Sequence, residues 1–84
     1  MDCIKAIAIS IDTTNFESFE KYLDYVKTLG KFMIENEYKE ISSGLYISDK
    51  NTVTTILFAQ RIKKEFQKIK SIKFLLCKEI DTVL

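Results

Sequence analysis

The chain has 84 residues, of which 46% are hydrophobic and 30% are charged, and its formal net charge is +1. This size and composition predict one folded domain, residues 1–84, and exclude a disordered chain. Histidine is absent, which excludes Ser-His-Asp and Cys-His nucleophilic sites. Cys3 and Cys77 form no close pair with metal-ligand spacing, so we expect them to be buried small hydrophobes on adjacent strands.

No apolar run is long enough to span a membrane, and the N-terminus lacks the basic region and long apolar core of a signal peptide. We therefore expect a cytoplasmic protein that has no membrane partner and keeps its thiols reduced. The near-neutral charge gives no global argument for nucleic-acid binding, although charge can be segregated locally.

The first predicted element is a strand over Ile4–Ile11, in which isoleucines alternate with small residues. We expect the isoleucine face to meet helices. The other face, formed by Ala6, Ala8 and Ser10, is small enough to let another surface come close. Asp12 continues this second face by parity. A carboxylate at the exit of a buried strand is costly to desolvate unless it has a partner or a chemical role.

A long helix is predicted over residues 15–36, with Thr14 and Glu17 forming a capping box at its start. Its apolar residues fall into two neighbouring stripes. The stripe expected to be buried comprises Phe16, Phe19, Leu23, Val26, Gly30 and Met33, and the flanking stripe comprises Tyr22, Tyr25, Leu29 and Phe32. We expect these aromatic rings to fill the core, with base stacking as the less favoured role.

Two short strands are predicted over residues 38–42 and 44–48, joined as a hairpin by a compact turn that contains Ser43 and Gly44. In the second strand, Leu45 and Ile47 are expected to face one side of the sheet. Gly44, Tyr46 and Ser48 are expected to face the other side.

A second helix is predicted over residues 52–70, capped by Asp49 or Asn51, and a last strand over residues 72–80. The helix carries a basic set at three- and four-residue spacing: Arg61, Lys64 and Lys68. These residues could contact a phosphate backbone. They could equally form a solvated helix face offset by Glu65 and the acidic first helix, which is the commoner arrangement.

The order β-α-β-β-α-β predicts an α+β, ferredoxin-like fold, with a four-stranded antiparallel sheet and both helices on one face. The other face would display Ala6, Ala8, Ser10, Gly44 and Tyr46. An open apolar face on a small domain usually finds a partner, so we expect a homodimer stacked through this face. One Asp12 from each subunit would then lie at the edge of a shared cleft.

Asp12 is the first candidate for chemistry. Phosphodiester cleavage without histidine commonly uses carboxylates that hold a divalent metal, and a pair of Asp12 side chains could hold Mg²⁺. Ser10, Ser43 and Tyr46 are candidate polar neighbours that could bind phosphate or orient water. The alternative is that Asp12 caps the first helix or stabilises the turn at Thr13 and Thr14, and that the hydroxyls satisfy local backbone groups.

Four short segments spread over most of the chain carry a family resemblance: Ala6-Ile7-Ala8-Ile9, Ser43-Gly44-Leu45-Tyr46-Ile47, Asn51-Thr52 and Ser71-Ile72-Lys73-Phe74. They resemble segments of the virulence-associated protein D family, which is similar in fold to CRISPR-associated protein 2. The resemblance implies a homodimeric, toxin-like endoribonuclease with an aspartate at the end of the first strand.

The chain departs from that family at two places. Aligned without gaps, the family's strand-end aspartate falls on Ser10, and Asp12 lies two residues later on the same face. The family's turn reads Gly then Ser, where this chain has Ser43 then Gly44. Two functions therefore remain as expectations: a metal-assisted endoribonuclease, or an inactive binding module that is antitoxin-like or a phage-encoded inhibitor. A scaffold that acts only through dimerisation is a third.

Overall fold

The computed structural model describes residues 4–76 of the chain. The elements, in chain order, are β1 (Ile4–Ile11), a 3₁₀ turn (Thr13–Asn15), α1 (Phe19–Glu35), β2 (Lys39–Ser42), β3 (Leu45–Ile47), α2 (Thr52–Glu65) and β4 (Ile69–Leu76). The predicted burial of Cys3 and Cys77 and the predicted end of the last strand at residue 80 lie outside the described residues.

The four strands form one sheet in the order β2-β3-β1-β4, and every neighbouring pair is antiparallel. With the two helices this is the predicted ferredoxin-like α+β arrangement, which the structure confirms. In the register, Ile7 lies opposite Tyr46 of β3 and opposite Phe74 of β4. Residues directly opposite in an antiparallel sheet point to the same face, so these three side chains share one side.

Both helices pack on the Ile7 side of the sheet. The buried core joins Leu29 and Met33 of α1, Phe58 and Ile62 of α2, and Ile7 of β1. Ile9 and Ile11 pack against this cluster, so the predicted role of the isoleucine face is confirmed. Among the described residues, neither helix combines the length and the apolar character that a membrane crossing requires.

The prediction that Thr14 and Glu17 cap the first helix is wrong. Thr14 is used in the 3₁₀ turn, where its backbone N–H and hydroxyl both donate to Asp12. The chain is then extended at Phe16 (φ −122°, ψ 146°), so α1 begins only after Ser18. The Ser18 hydroxyl accepts a hydrogen bond from the Lys21 backbone N–H, which is the usual cap geometry.

The second helix ends at Glu65, before the predicted end at residue 70. Phe66 leaves the helical conformation (φ −114°, ψ 81°), and its ring lies 5.3 Å from the Phe32 ring and 5.8 Å from the Tyr25 ring. This aromatic packing holds the C-terminal end of α2 against α1, and β4 begins three residues after Phe66, at Ile69. The predicted cap of this helix by Asn51 is confirmed, because its side chain accepts from the Thr54 N–H.

Candidate functional site

Asp12 caps the 3₁₀ turn at the exit of β1. Its Oδ1 accepts the Thr14 backbone N–H at 3.0 Å and the Thr14 hydroxyl at 2.8 Å. These two hydrogen bonds, in that order of importance, lower the pKa of Asp12, and the charge of Lys70 adds a smaller effect in the same direction. The carboxylate is therefore ionised at neutral pH. In the structure Asp12 stabilises the turn at Thr13 and Thr14, which was one of the two expected roles.

Ser10 is exposed on the helix-free face, where it lies directly opposite Ser71 of β4. Ala6 was expected to be displayed on the same face but is only 1% exposed. In the register Ala6 lies between Ile47 and Leu75, and a small side chain flanked by two large ones is readily covered.

Ser43 and Gly44 form the turn between β2 and β3, and this turn lies against β1. The Ile9 N–H donates to the Gly44 carbonyl at 2.7 Å. Gly44 has a positive φ of 77°, and a Cβ there would lie 2.6 Å from the Ile9 carbonyl oxygen. The close approach and the left-handed backbone both require glycine.

The predicted orientation of Tyr46 is wrong. Tyr46 is 2% exposed and belongs to the core under α1, on the opposite side of the sheet from Ser10. The pairing of Tyr46 with Ile7, on the isoleucine face of β1, places the Tyr46 side chain on the helix side of the sheet. Leu45 and Ile47 therefore lie on the helix-free side, opposite Ala8 and Ala6.

Tyr46 is paired with a carboxylate that the sequence analysis did not single out. Glu40 lies directly opposite Tyr46 across the hairpin, and its carboxylate acts on the Tyr46 hydroxyl. Glu40 also accepts the Gly44 N–H at 3.2 Å. Burial first, and then the negative charge and hydrogen bond of Glu40, raise the pKa of Tyr46 to about 12. The pairing could have been found only from the correct hairpin register.

The candidate catalytic residues divide into two places. Ser43 and Tyr46, with Glu40, line a cavity of about 70 Å³ between α1 and the β2–β3 hairpin. Asp12 and Ser10 do not line it. Within the described ranges, no cluster of three or more acidic, cysteine or histidine side chains could hold a metal. The described residues of one chain therefore fit a Mg²⁺ site poorly, since Asp12 supplies a single carboxylate whose Oδ1 is already engaged.

The candidate nucleic-acid-binding residues do not form one helical face. Lys68 follows the end of α2, and its ammonium group donates to the Asn15 carbonyl at 3.1 Å and lies 4.3 Å from the centre of the Phe16 ring. Arg61 packs over the Phe32 ring and forms an ion pair with Glu65 at 3.2 Å. Lys64 is exposed on the helix. Two of the three cations, Arg61 and Lys68, are therefore engaged in contacts within the fold.

A second surface lies on α1 and includes Phe19 and Leu23, which were predicted to be buried. Phe19 is 68% exposed, Leu23 39% and Ile34 64%. At steps of four, seven and four residues along the helix, these side chains lie along one line with Gly30. We call the four residues the α1 outer stripe. Of the predicted buried stripe, Met33 is fully buried, whereas Phe19 and Leu23 point outward because the core meets the Leu29 side of the helix.

A groove of about 530 Å³ runs beside the α1 outer stripe, between α1 and β2. Gly30 and Tyr46 line it, together with Val26 and Ile34, while Lys27, Lys31, Glu35 and Glu40 form its charged lining. The sequence signal for this surface is that α1 is apolar around more than half of its circumference, which is wider than the single stripe that packs on a sheet.

Comparison with known proteins assigns no family, since no family model, curated protein or solved structure matches the chain.

Proposed function

We propose that the chain is a binding module, and that the α1 outer stripe with its adjacent groove is the surface through which it binds protein. The observation that carries this proposal is the exposure of Phe19, Leu23 and Ile34 in one line on a helix of a small domain. Contiguous exposed apolar residues rimmed by charge are typical of protein interaction sites. This is the inactive, antitoxin-like or inhibitor-like function that the sequence leaves open.

The positions of the candidate catalytic residues support a role in binding. The Tyr46 hydroxyl lies beneath α1, where the Glu40 carboxylate acts on it. Asp12 lies outside the cavity that these two residues line, and its Oδ1 accepts two hydrogen bonds from Thr14. A hydrolytic site needs its acid, base and phosphate-binding groups within hydrogen-bond reach of one substrate atom. Asp12 in the cap and Tyr46 in the core both have contacts that stabilise the fold, so neither residue needs a catalytic role to account for its position.

The proposal is tested by comparing cellular partners of three tagged proteins: wild type, Leu23→Asp and Leu57→Asp. Leu57 is 59% exposed on α2, so it is a matched control for an exposed leucine on the other helix. We expect partner proteins that co-purify with wild type and Leu57→Asp to be lost from Leu23→Asp. Identical partners for all three proteins would contradict the assignment of this surface.

A metal-assisted endoribonuclease is the second candidate. The observation that favours it is Asp12, a carboxylate kept ionised at a strand end, in a chain that resembles the virulence-associated protein D family. Because one chain supplies one such carboxylate, the site would need Asp12 of a second copy. RNA cleavage in the presence of Mg²⁺ is the assay, and Asp12→Asn, which keeps a capping oxygen, is the variant. Equal cleavage by highly purified Asp12→Asn and wild type would exclude this site.

A further inference from the structure

We propose that the α1 outer stripe binds a second copy of the same chain, so that two α1 helices pack antiparallel across a two-fold axis. The inference rests on the proposed function, because it uses the same surface and names the partner. A two-fold interface must be self-complementary, so each feature of the helix has to match another feature of the same helix. The α1 outer stripe meets this condition in shape and in charge.

The shape match follows from the positions along α1. When two copies run antiparallel about the midpoint of the stripe, Leu23 of one copy lies opposite Gly30 of the other, and Phe19 lies opposite Ile34. Gly30 has no side chain, and the nearest atom to a Cβ built there is the Tyr46 hydroxyl at 3.7 Å. The groove of about 530 Å³ beside it can accept the leucine, so a large residue faces a space in both halves of the interface.

The charge match concerns the solvent side of the same stripe. Glu20 and Asp24 lie in the N-terminal half of α1, and Lys27 and Lys31 lie in the C-terminal half, all four on exposed positions. By helical geometry these four residues lie along the edge of the stripe that points away from the core.

Antiparallel packing brings Glu20 and Asp24 of each helix beside Lys27 and Lys31 of the other. Parallel packing about a two-fold axis would instead place the two charged edges on opposite sides of the seam, where they could not pair. The helix dipoles are also favourably opposed in the antiparallel arrangement. Charge pattern and shape therefore select the same orientation, and both select a second copy of this chain as the occupant.

The first experiment measures mass in solution by sedimentation equilibrium for wild type, Leu23→Asp and Leu57→Asp, with circular dichroism to show that each is folded. We expect a dimer for wild type and Leu57→Asp and a twofold lower mass for Leu23→Asp, because a carboxylate would face the groove of the other copy. A monomeric wild type at its highest soluble concentration would overturn the inference, as would a dimer that Leu23→Asp leaves intact.

The second experiment tests the charge match by charge exchange. One variant carries Glu20→Lys with Asp24→Lys, and the other carries Lys27→Glu with Lys31→Glu. Each alone would place four like charges from each copy, eight in all, along the seam, so we expect both to be monomers. Mixed together they restore every opposite pair, and a heterodimer is expected. Two monomeric variants that stay monomeric when mixed would overturn the charge match, as would homodimers of either variant.

A third variant, Ala8→Arg, distinguishes the helix interface from a dimer through the helix-free sheet face. If Ala8→Arg is monomeric and Leu23→Asp is dimeric, the inference is overturned in favour of the sheet face. If wild type is a monomer but still loses a cellular partner on Leu23→Asp substitution, this inference fails and the proposed function stands. If the dimer forms as described but cleaves RNA in an Asp12-dependent way, the proposed function fails and the inference stands.

Discussion

Glu40 lies directly opposite Tyr46 in the β2–β3 hairpin, and its carboxylate helps to raise the pKa of the Tyr46 hydroxyl beneath helix α1. The same carboxylate accepts the Gly44 N–H at the hairpin turn. Glu40 therefore joins the core, the edge strand and the turn with one side chain. The groove beside the α1 outer stripe is lined by both members of this pair, so the pair also shapes the proposed binding surface.

This pair makes the stability of the fold depend on alkaline pH. The pKa of Tyr46 is raised from 10.0 to about 12, first by burial and then by Glu40. Below pH 10.0 the tyrosine is neutral in both folded and unfolded chains. Between pH 10.0 and about 12 the unfolded chain loses the proton first, so stability falls as pH rises. Wild type should lose stability across this window more steeply than Tyr46→Phe in urea unfolding followed by circular dichroism.

Replacing Glu40 separates the two causes of that shift. Glu40→Gln keeps an acceptor oxygen but removes the charge, so we expect the pKa of Tyr46 to fall towards 10.0 while burial keeps it above that value. The measurement is the ultraviolet absorbance titration of tyrosine, with the Tyr46→Phe titration subtracted to isolate the one group. An unchanged Tyr46 pKa in Glu40→Gln would show that the carboxylate does not act on the hydroxyl.

The two glycines should respond oppositely to alanine. Gly44→Ala places a side chain at φ 77° and a Cβ 2.6 Å from the Ile9 carbonyl oxygen, so we expect a loss of about 2 kcal/mol or more. Gly30→Ala lies inside a helix with only an ordinary contact at 3.7 Å, so we expect a gain of about 1 kcal/mol. Chemical unfolding in a Leu23→Asp background measures both without a contribution from self-association. Equal effects of the two substitutions would contradict the described backbone.

The order of elements and the sheet could be predicted because the signals that carry them are long. Alternating Ile7, Ile9 and Ile11 define β1, and both helices have repeating apolar stripes. The orientation of Tyr46 could not be predicted in the same way. Strand β3 has only three residues, too few for alternation to decide which face is buried, and its partner β2 has a register shift between Glu40 and Ser42.

The ends of the elements and the candidate site were predictable only in part. Thr14 with Glu17 and Ser18 alone both match the preferences for starting α1, and the local hydrogen bonds to Asp12 decide between them. No glycine or proline marks the end of α2, where the tertiary contacts of Phe66 decide. The α1 outer stripe was misassigned because periodicity shows that a face is apolar without showing what covers it.

Two buried hydroxyls should respond oppositely to removal. The Tyr38 hydroxyl is buried and has no hydrogen-bond partner among the described residues, so Tyr38→Phe removes an uncompensated polar group. The Thr55 hydroxyl is buried and donates to the Asn51 carbonyl at 2.9 Å, so Thr55→Val removes a satisfied one. We expect Tyr38→Phe to be neutral or stabilising by up to about 1 kcal/mol, and Thr55→Val to be destabilising by about 1 kcal/mol. Thermal unfolding of both variants provides the comparison, and a clear loss in Tyr38→Phe would contradict it.

Asp12 gives the fold a dependence on acid pH. Its folded pKa lies below 3.8, chiefly because of the Thr14 backbone N–H and then the Thr14 hydroxyl. The contribution of the cap is therefore present above pH 3.8 and is lost as pH falls through the lower folded value. Thr14→Val removes the hydroxyl but leaves the N–H, so it should raise the pKa of Asp12 without bringing it fully to 3.8. Carboxyl ¹³C chemical shifts followed through an acid titration measure this directly, and an unmoved Asp12 pKa would rule out the hydrogen bond from the Thr14 hydroxyl.

The basic residues near α2 give opposite expectations for folding and for nucleic-acid binding. Lys68→Ala removes the ammonium contacts with the Asn15 carbonyl and the Phe16 ring, which tie the connection after α2 to the 3₁₀ turn. We expect a stability loss of about 0.5–1 kcal/mol. Lys64→Ala, at an exposed helix position, should change stability by less than about 0.5 kcal/mol.

If these residues instead contact a phosphate backbone, Lys64→Ala and Lys68→Ala should weaken RNA binding alike and should each reduce its salt dependence by about one charge. Urea unfolding and RNA binding at several salt concentrations separate the two roles in the same pair of variants. We expect the two variants to differ in stability, because Lys68 contacts Asn15 and Phe16. We also expect no common change in the salt dependence of RNA binding. Equal stabilities together with equal losses of RNA affinity would assign both residues to an RNA-binding surface.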